Sequence, residues 1–333
     1  MGLLALVGLI IILGYVLYRS QNTQEVQPLT VNIATGGAGE VRALVMKYYG
    51  IDTKHGLDIS FKRDTPSSLE QKVSLHQEAP GLSDISPLTA FRSQTNGSKI
   101  DIIAPSIRIA YSIAVRNDST ITTLADLKGK RVGVLPKITA PFLSISLIFH
   151  AAGIDQDRDL KLSYGTIPDM VALLQKGDVD AATVTYPGSA ALFASGEFRS
   201  IAELEDLWEK NENGLTNPFV VTVAHDDWLA AGNNRELTRR YVAANLETAQ
   251  LMKDRPEVVT EAENTALQAF LADNKLTSPP AQKLLRENMW KFFYPKWGNE
   301  EVAALDRILM RAKELNLVPQ GASLDIVIKP SEL

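Results

Sequence analysis

Segments with strand and helix patterns alternate along most of this chain. Residues 29–34, 57–61 and 82–85 are short apolar runs rich in β-branched residues, and a helical pattern follows each of them. Such alternation is typical of an α/β fold with a mostly parallel sheet. A chain of 333 residues is long enough for two domains of ordinary size. The sequence therefore predicts an α/β protein with two domains. It also predicts a return strand at 219–224, followed by a helical region in which 234–252 and 256–271 are the clearest segments.

One stretch predicts a turn of helix that leads directly into a strand. Thr123 and Asp126 have the spacing of a capping box, with an aspartate in place of the usual glutamate. Gly129 tolerates the left-handed conformation that ends a helix. Residues 131–135 then form a short β-rich run. We expect a short helix followed by a strand here.

Composition excludes several kinds of function. The net charge of -5 and the lack of a basic stripe disfavour nucleic acid as a partner. With no cysteine, the chain has no disulfide, thiolate nucleophile or zinc–thiolate site. The histidines are scattered without metal-ligand spacing, so we predict neither a metal nor a cofactor. They are His55, His76, His150 and His225.

The N-terminus has the composition of a membrane segment. Residues 2–18 are uncharged and almost wholly apolar, long enough to cross most of a bilayer core of roughly 30 Å. They lack the basic start and the small-residue cleavage site of a signal peptide. We predict that residues 1–20 are a transmembrane anchor or uncleaved signal, with residues 2–18 in the lipid bilayer, and that 21–28 are a linker. Arg19, the nearest positive charge, would by itself place the body in the cytoplasm.

Five short motifs follow one another in a familiar order. They are Arg-Asn-Asp at 116–118, Leu-Ala-Asp-Leu-Lys-Gly-Lys-Arg-Val-Gly-Val at 124–134, Ala-Gly-Ile-Asp at 152–155, Leu-Gln-Lys-Gly-Asp-Val-Asp-Ala-Ala at 174–182 and Asp-Asp-Trp-Leu at 226–229. Together they resemble the extracytoplasmic solute-binding proteins of ABC importers, in particular the nitrate, sulfonate and taurine group and its thiamin-precursor (NMT1/THI5-like) relatives. The resemblance extends over roughly residues 29–256.

This resemblance implies a type II periplasmic-binding-protein fold, in which a ligand cleft lies between two lobes that close about a hinge. Lobe 1 would comprise residues 29–110 and 225–333, and lobe 2 residues 111–224. The protein would deliver a small molecule to an ABC permease, with its body on the periplasmic side of the inner membrane; we weigh this above the single charge of Arg19. A ligand sensor is the alternative. Some relatives are thiamin-pyrimidine synthases, but their cysteine-rich motif is absent here, so we predict no enzyme activity.

Loops that follow strands are the expected binding positions, because ligands of open α/β sheets bind at the carboxyl ends of strands, where helix N-termini favour anions. Gly36, Gly37 and Ala38 form a glycine-rich turn whose amides can approach a ligand closely, or which is simply a flexible turn. Ser86 and Thr139 are hydroxyls at helix starts that either contact a ligand or cap their helices.

Two cations and several polar residues complete the predicted binding site. Arg108 and Lys137 follow strands and would hold an anion; alternatively, they form salt bridges or are solvated. Tyr186 stands where relatives often carry Trp-Glu-Pro, and a tyrosine there can stack on a ring. Tyr111 and Asn217 lie near the predicted crossings between lobes. The ligand is predicted to be an oxyanion or a small aromatic or heterocyclic molecule.

Overall fold

The computed structural model describes residues 25–94, 97 and 99–333. The predicted anchor at 1–20 and most of the predicted linker lie outside this part of the chain. The last two linker residues, Gln27 and Pro28, instead begin the first strand. Within the described ranges, no helix combines the length and the apolar character that crossing a membrane requires.

The first sheet contains five strands in the order β2-β1-β3-β10-β4. These are β1 Gln27–Ala34, β2 Leu57–Asp64, β3 Leu82–Ile85, β4 Ile100–Arg108 and β10 Pro218–His225. β1 pairs in parallel with β2 and β3, whereas β10 runs antiparallel to β3 and β4. The carboxyl ends of β1, β2 and β3 therefore share one edge of the sheet.

The second sheet also contains five strands, in the order β7-β6-β8-β5-β9. These are β5 Tyr111–Arg116, β6 Arg131–Val134, β7 Lys161–Tyr164, β8 Ala181–Thr185 and β9 Phe198–Glu203. β6 pairs in parallel with β7 and β8, and β5 is antiparallel to β8 and β9. The predicted mixed α/β architecture is confirmed as two separate sheets.

The described chain passes between the sheets twice. Ile109 and Ala110 lead from β4 into β5, and residues 212–217 return the chain to β10. The return strand was expected at 219–224, within lobe 2. Its pairing with β3 and β4 places it in the first sheet instead.

The helices of the described residues cover both sheets. In the first half of the chain they are α1 Ala38–Tyr48, α2 Ile51–Lys54, α3 Pro66–Ser74, α4 Pro87–Ser93, α5 Ala140–Ala151, α6 Gln156–Asp159 and α7 Ile167–Lys176. In the second half they are α8 Gly188–Ala194, α9 Leu204–Asn211, α10 Asp226–Ala230, α11 Asn234–Asp254, α12 Thr265–Asp273, α13 Pro279–Asn288 and α14 Asn299–Glu314.

The capping box predicted at Thr123 is present. The Thr123 side chain and the Asp126 carboxylate cap each other's backbone groups, a 3-10 turn covers Leu124–Leu127, and Gly129 has the left-handed φ of 77°. β6 follows at Arg131. The expected turn of helix before a strand is therefore confirmed, with 3-10 rather than α geometry.

One predicted helix is interrupted. The pattern at 256–271 predicted a single segment, but a 3-10 turn at Pro256–Thr260 is separate from α12. The Asn264 side chain accepts a hydrogen bond from the Leu267 amide at 3.1 Å and starts the second helix. The prediction of one continuous helix was wrong because this asparagine acts as a new N-cap.

Apolar packing joins the two sheets. Phe91 of α4, Phe149 of α5, Trp208 of α9 and Ile308 of α14 are fully or almost fully buried in one hydrophobic cluster. Burial of large aromatic and aliphatic side chains is the main source of stability for such an arrangement. The two halves thus share a core on this side of the molecule.

A buried polar network fixes the interior of the first sheet. The Arg42 guanidinium contacts the Asp84 carboxylate at 2.7 Å and the Ser106 hydroxyl at 2.7 Å. The hydroxyls of Ser106 and Thr222 also donate to Asp84, at 2.8 and 2.7 Å. Because the buried charge is paired and hydrogen-bonded, the network ties α1, β3, β4 and β10 together.

Candidate functional site

The predicted binding loops all lie where a strand leads into a helix. Gly37 is the N-cap of α1, Ser86 of α4 and Thr139 of α5, and Tyr186 directly precedes the Pro187 N-cap of α8. The local chemistry of each loop then decides what kind of ligand it suits.

The glycine-rich turn already holds a carboxylate of its own chain. Gly36 has a left-handed φ of 73°, and its amide donates to Glu40 Oε2 at 2.8 Å. The other Glu40 oxygen lies 2.7 Å from Arg63 Nε. Gly37 is half-buried and Ala38 is buried. One amide of this loop is therefore occupied, and by a negative charge.

A second carboxylate lies at the start of α4. The Ser86 hydroxyl accepts a hydrogen bond from the Leu88 amide at 3.2 Å, while the Ser86 amide donates to Glu70 Oε1 at 2.8 Å. Burial raises the pKa of Glu70 to about 7, although hydrogen bonds from Thr89 and Ser86 oppose the shift. Ser86 is thus a helix cap beside a buried, titratable acid.

Arg108 ends β4 and turns towards α9, the helix that follows the second sheet. Its Nη1 lies 3.5 Å from Glu209 Oε1 and 3.9 Å from Glu205 Oε1. The guanidinium carbon lies 5.0 Å from the centre of the Tyr294 ring. Arg108 therefore makes the ion pair between the two halves that the sequence left open as its alternative role.

Asn217 belongs to the same cluster through Glu205. The Asn217 backbone amide donates to both Glu205 oxygens, at 3.1 and 3.3 Å. The Asn217 backbone carbonyl accepts from the Ile109 backbone amide at 3.2 Å. Burial raises the pKa of Glu205 to about 8, while Arg108 opposes the shift. Asn217 joins the two crossing segments, because Ile109 lies on one and Asn217 on the other.

Lys137 and Thr139 lie together at the start of α5. Lys137 Nζ lies 2.5 Å from Asp157 Oδ1, and both side chains are largely exposed. The Thr139 hydroxyl donates to the Pro136 carbonyl at 2.8 Å and accepts from the Phe142 amide at 3.4 Å. This loop therefore has its own cation and acid, and Thr139 is a helix cap.

The two tyrosines pack against the molecule's interior. The Tyr111 ring lies 5.5 Å from the Phe219 ring, and burial raises the pKa of Tyr111. The Tyr186 ring lies 5.2 Å from Phe292, and its hydroxyl accepts from Asn288 Nδ2 at 3.2 Å. Through Tyr186, the end of β8 contacts α13 and the turn after it.

The structure brings Arg108 and Asn217 together on Glu205. It places Lys137 and Thr139 together in the loop between β6 and α5. Sequence reasoning missed the acidic partners on α9, Glu205 and Glu209. Their signal was a short amphipathic run at 204–211 with Glu205 and Asp206 in its first turn. The helix α9 was not predicted because β9, the strand directly before it, was not predicted either.

Several of the predicted anion-binding groups are paired with carboxylates of the same chain. Glu40 and Glu70 accept from the amides of two loops. Glu209 and Asp157 pair with the two cations expected to hold an anion. The Gly36 and Ser86 amides and both cations are therefore paired with carboxylates of the same chain.

Comparison with known proteins agrees with a two-sheet protein of the periplasmic-binding type. Residues 43–259 match the family model described as NMT1/THI5 like, which covers more than half of the chain. The chain therefore belongs to the NMT1/THI5-like family. No curated protein sequence is a significant match.

Solved structures share the fold at low sequence identity. The periplasmic aliphatic sulphonate binding protein of Escherichia coli has a TM-score of 0.66 and 20% identity, over 90% of this chain and 96% of that one. The alkanesulfonate-binding protein of Xanthomonas axonopodis pv. citri, bound to MOPS, has a TM-score of 0.65 and 16% identity, over 92% and 99% of the two chains. The desulfurization enzyme DszB has a TM-score of 0.61 and 17% identity, over 91% and 97%. Both binding proteins and an enzyme thus use this fold.

Proposed function

We propose that this protein is an extracytoplasmic solute-binding protein that takes up a small ligand between two lobes and presents it to the permease of an ABC importer. The observation that carries the proposal is the pair of chain crossings between two sheets, at 109–110 and 212–217. Two connections of this kind permit hinge closure. The lobes would be divided at these crossings, so that lobe 1 includes β10.

The ligand-contacting residues would be those of the strand-to-helix loops. Gly36, Gly37 and Ala38 would offer backbone groups, Ser86 and Thr139 would contribute hydroxyls, and the remaining predicted residues would shape the site or hold the hinge. That last set is Arg108, Tyr111, Lys137, Tyr186 and Asn217. Because carboxylates already compensate the cationic and N–H groups, we propose a neutral or hydrogen-bond-donating heterocycle as the ligand class, in preference to an oxyanion.

The tether and location belong to the same proposal. Residues 2–18 would anchor the protein in the lipid bilayer of the inner membrane, with the body on the periplasmic side. Support comes from the apolar composition of the segment and from family membership. We propose binding rather than catalysis, because the chain has no cysteine for thiolate chemistry.

A thermal-shift screen of the purified protein tests this function. The panel sets neutral heterocycles such as pyrimidines against alkanesulfonates, nitrate and carboxylates. A ligand at a hundredfold its Kd should add about 2.7 kcal/mol and raise the unfolding midpoint by several degrees. Stabilisation by the anions alone would contradict the proposed ligand class. No response to any compound, from folded and ligand-free protein, would contradict the binding function.

A matched pair of glycine variants tests the position of the site. An added Cβ meets no atom within 4 Å at either Gly37 or Gly321. Gly37→Ala should therefore fold normally but hinder close approach of the loop backbone to the ligand, with a loss of affinity of about tenfold or more. Gly321→Ala should bind the ligand as the parent protein does. Equal affinity of both variants would remove the glycine turn from the site.

A further inference from the structure

Large apolar side chains are exposed at the end of the first sheet where its parallel strands begin. Val26 directly precedes β1 and is 48% exposed, Tyr48 is the last residue of α1 and is 40% exposed, and Leu75 follows α3 and is 55% exposed. They are three of the six large hydrophobic side chains that are exposed in the described part of the chain. Single exposed apolar residues are ordinary, but three at one end of a molecule define a candidate contact surface.

Val26 and Tyr48 lie close to the start of β1. Val26 comes directly before the first residue of that strand. Lys47, the neighbour of Tyr48, contacts the Asp58 carboxylate at 3.2 Å. Asp58 is paired with Pro28, the second residue of β1. The helix α1 therefore ends at the level at which β1 begins.

Leu75 lies at the same end of the sheet. The ring of the next residue, His76, stacks on His225 with centroids 3.7 Å apart. His225 is the last residue of β10 and pairs with Ile100, the first residue of β4. Because β10 is antiparallel to β3, and β3 is parallel to β1, the end of β10 lies where the parallel strands begin. The strand-to-helix loops of the candidate functional site lie at the opposite end, so a contact made here leaves them free.

The proposed membrane anchor joins the body at this end. Residues 2–18 would lie in the bilayer, and the present inference rests on that part of the proposed function. Residues 19–25 separate the anchor from Val26, and a fully extended segment of this length spans at most about 25 Å. Such a short tether holds the start of β1 near the bilayer at an effective concentration of about a millimolar, at which weak contacts form.

Charged side chains at this end carry both signs. Asp58 and Asp227 are each 71% exposed, and Lys54 is 66% exposed. Lys99, directly before β4, is also exposed. The mixture produces no strong field of one sign, so a partner at this surface has to be held by apolar contact rather than by charge.

The three apolar side chains also require a flat partner. They come from the start of a strand and from the ends of two different helices, so a plane contacts them together more readily than a narrow peptide does. Tyr48 combines an aromatic ring with a polar hydroxyl, and such side chains are enriched where a membrane meets water. Leucine is likewise typical of surfaces that lie in this interfacial layer.

We propose that this end of the first sheet rests on the surface of the bilayer, with Val26, Tyr48 and Leu75 in the interfacial layer. Lobe 1 then lies next to the membrane, and its strand-to-helix loops point away from it. The contact is apolar, so it forms on zwitterionic lipid and depends little on salt. A second copy of the chain is the other flat partner, and the test below distinguishes the two.

Lipid quenching of single fluorescent labels tests the proposal in the full chain, which has no cysteine of its own. Leu75→Cys places one label at the proposed contact. Met310→Cys is the control, because Met310 is 45% exposed and its neighbour Arg311 contacts Glu212 at the crossing between lobes, away from this end. In phosphatidylcholine vesicles with a headgroup quencher, the Leu75 label should be quenched about threefold more than the Met310 label, because an interfacial side chain lies within roughly 5–10 Å of the headgroups.

Three results would overturn the proposal. Equal quenching of the two labels, in vesicles that retain the protein, would show that this surface does not face the bilayer. Full-length protein that does not float with the vesicles would remove the anchor at 2–18 and this inference with it, but it would leave the proposed ligand binding intact. Protection of the Leu75 label that increases with protein density and ignores the lipid quencher would indicate contact between two copies instead.

Matched variants test the apolar nature of the contact. A label on Lys99→Cys, at the same end of the sheet, reports lipid contact without altering the three apolar residues. Combined Tyr48→Ser and Leu75→Ser should lower its lipid quenching by about half or more, whereas Met310→Ser should leave it unchanged. Raising the salt concentration should change the quenching by less than about a quarter. Parent-like quenching in the double variant, or a large loss on addition of salt, would overturn the proposed contact.

Discussion

The Arg108 guanidinium lies 3.5 Å from the Glu209 carboxylate and so links the last residue of β4 to α9, which follows the second sheet. Glu205, one turn earlier on α9, is nearly fully buried and accepts from the Asn217 amide. The same cluster therefore contacts both chain crossings. We interpret it as a structural link at the hinge.

Arg108→Ala tests this interpretation. The change removes the cation next to buried Glu205 and the contact with the Tyr294 ring. We expect a loss of about 1–3 kcal/mol in the free energy of unfolding, measured by urea denaturation. Arg158→Ala, which removes an exposed guanidinium next to Asp159, should leave the urea midpoint nearly unchanged. Ligand affinity of Arg108→Ala should change by less than about threefold, and a loss of about tenfold would show direct ligand contact instead.

Stability should fall as the pH rises from about 5 to 8. Burial raises the pKa of Glu205 from 4.5 to about 8 and that of Glu70 from 4.5 to about 7. Between these values the folded protein binds more protons than the unfolded chain, so unfolding becomes easier at each higher pH. Each group contributes at most about 1.4 kcal/mol per pH unit.

Urea denaturation at several pH values measures this dependence. In Glu205→Gln the free energy of unfolding should fall less steeply between pH 5 and 8 than in the parent protein, because one of the titrating groups is gone. Glu257→Gln, at a mostly exposed carboxylate whose pKa is lowered by backbone and Arg255 hydrogen bonds, is the control and should retain the parent slope. Identical slopes for Glu205→Gln and the parent protein would show that burial does not raise the pKa of Glu205.

Local sequence signals predicted much of the fold correctly. The capping box at Thr123 and the long helix that begins at Asn234 depend on neighbouring residues, and both are present. The helix break at Asn264 was missed because periodicity continues on both sides of it. β9 was missed because its residues are mostly half-buried and show no clear alternation.

Less of the candidate site than of the fold could be predicted from the sequence. Helix caps such as Ser86 and Thr139 are local features, and the structure shows both as caps. The acid that pairs with Arg108 is about a hundred residues away along the chain, and a single sequence carries no signal for such a pairing. The sequence therefore identified the cations but not the carboxylates that neutralise them.

Tyr186 and Asn288 should be energetically coupled. Asn288 Nδ2 donates to the Tyr186 hydroxyl at 3.2 Å, across the contact between α8 and α13. A double-mutant cycle of Tyr186→Phe and Asn288→Ala should give a coupling energy of about 0.5–1.5 kcal/mol in the free energy of unfolding. Purely additive effects would show that the hydrogen bond contributes nothing. Tyr186→Ala should cost more, about 3–5 kcal/mol, because it also removes the ring packed on Phe292.

Gly81, directly before β3, should not tolerate replacement by alanine. Its φ is 153°, and an added Cβ would lie 2.2 Å from the Thr30 carbonyl oxygen, an atom of the backbone that cannot rotate away. Gly81→Ala should therefore destabilise the fold by about 3 kcal/mol or more, since both backbone strain and a clash between neighbouring strands are introduced. Gly321→Ala, where a Cβ meets nothing within 4 Å, is the matched control. The thermal unfolding midpoint should fall by several degrees in Gly81→Ala and hardly at all in Gly321→Ala. Equal midpoints for the two variants would mean that β1 and β3 separate easily enough to accept a methyl group.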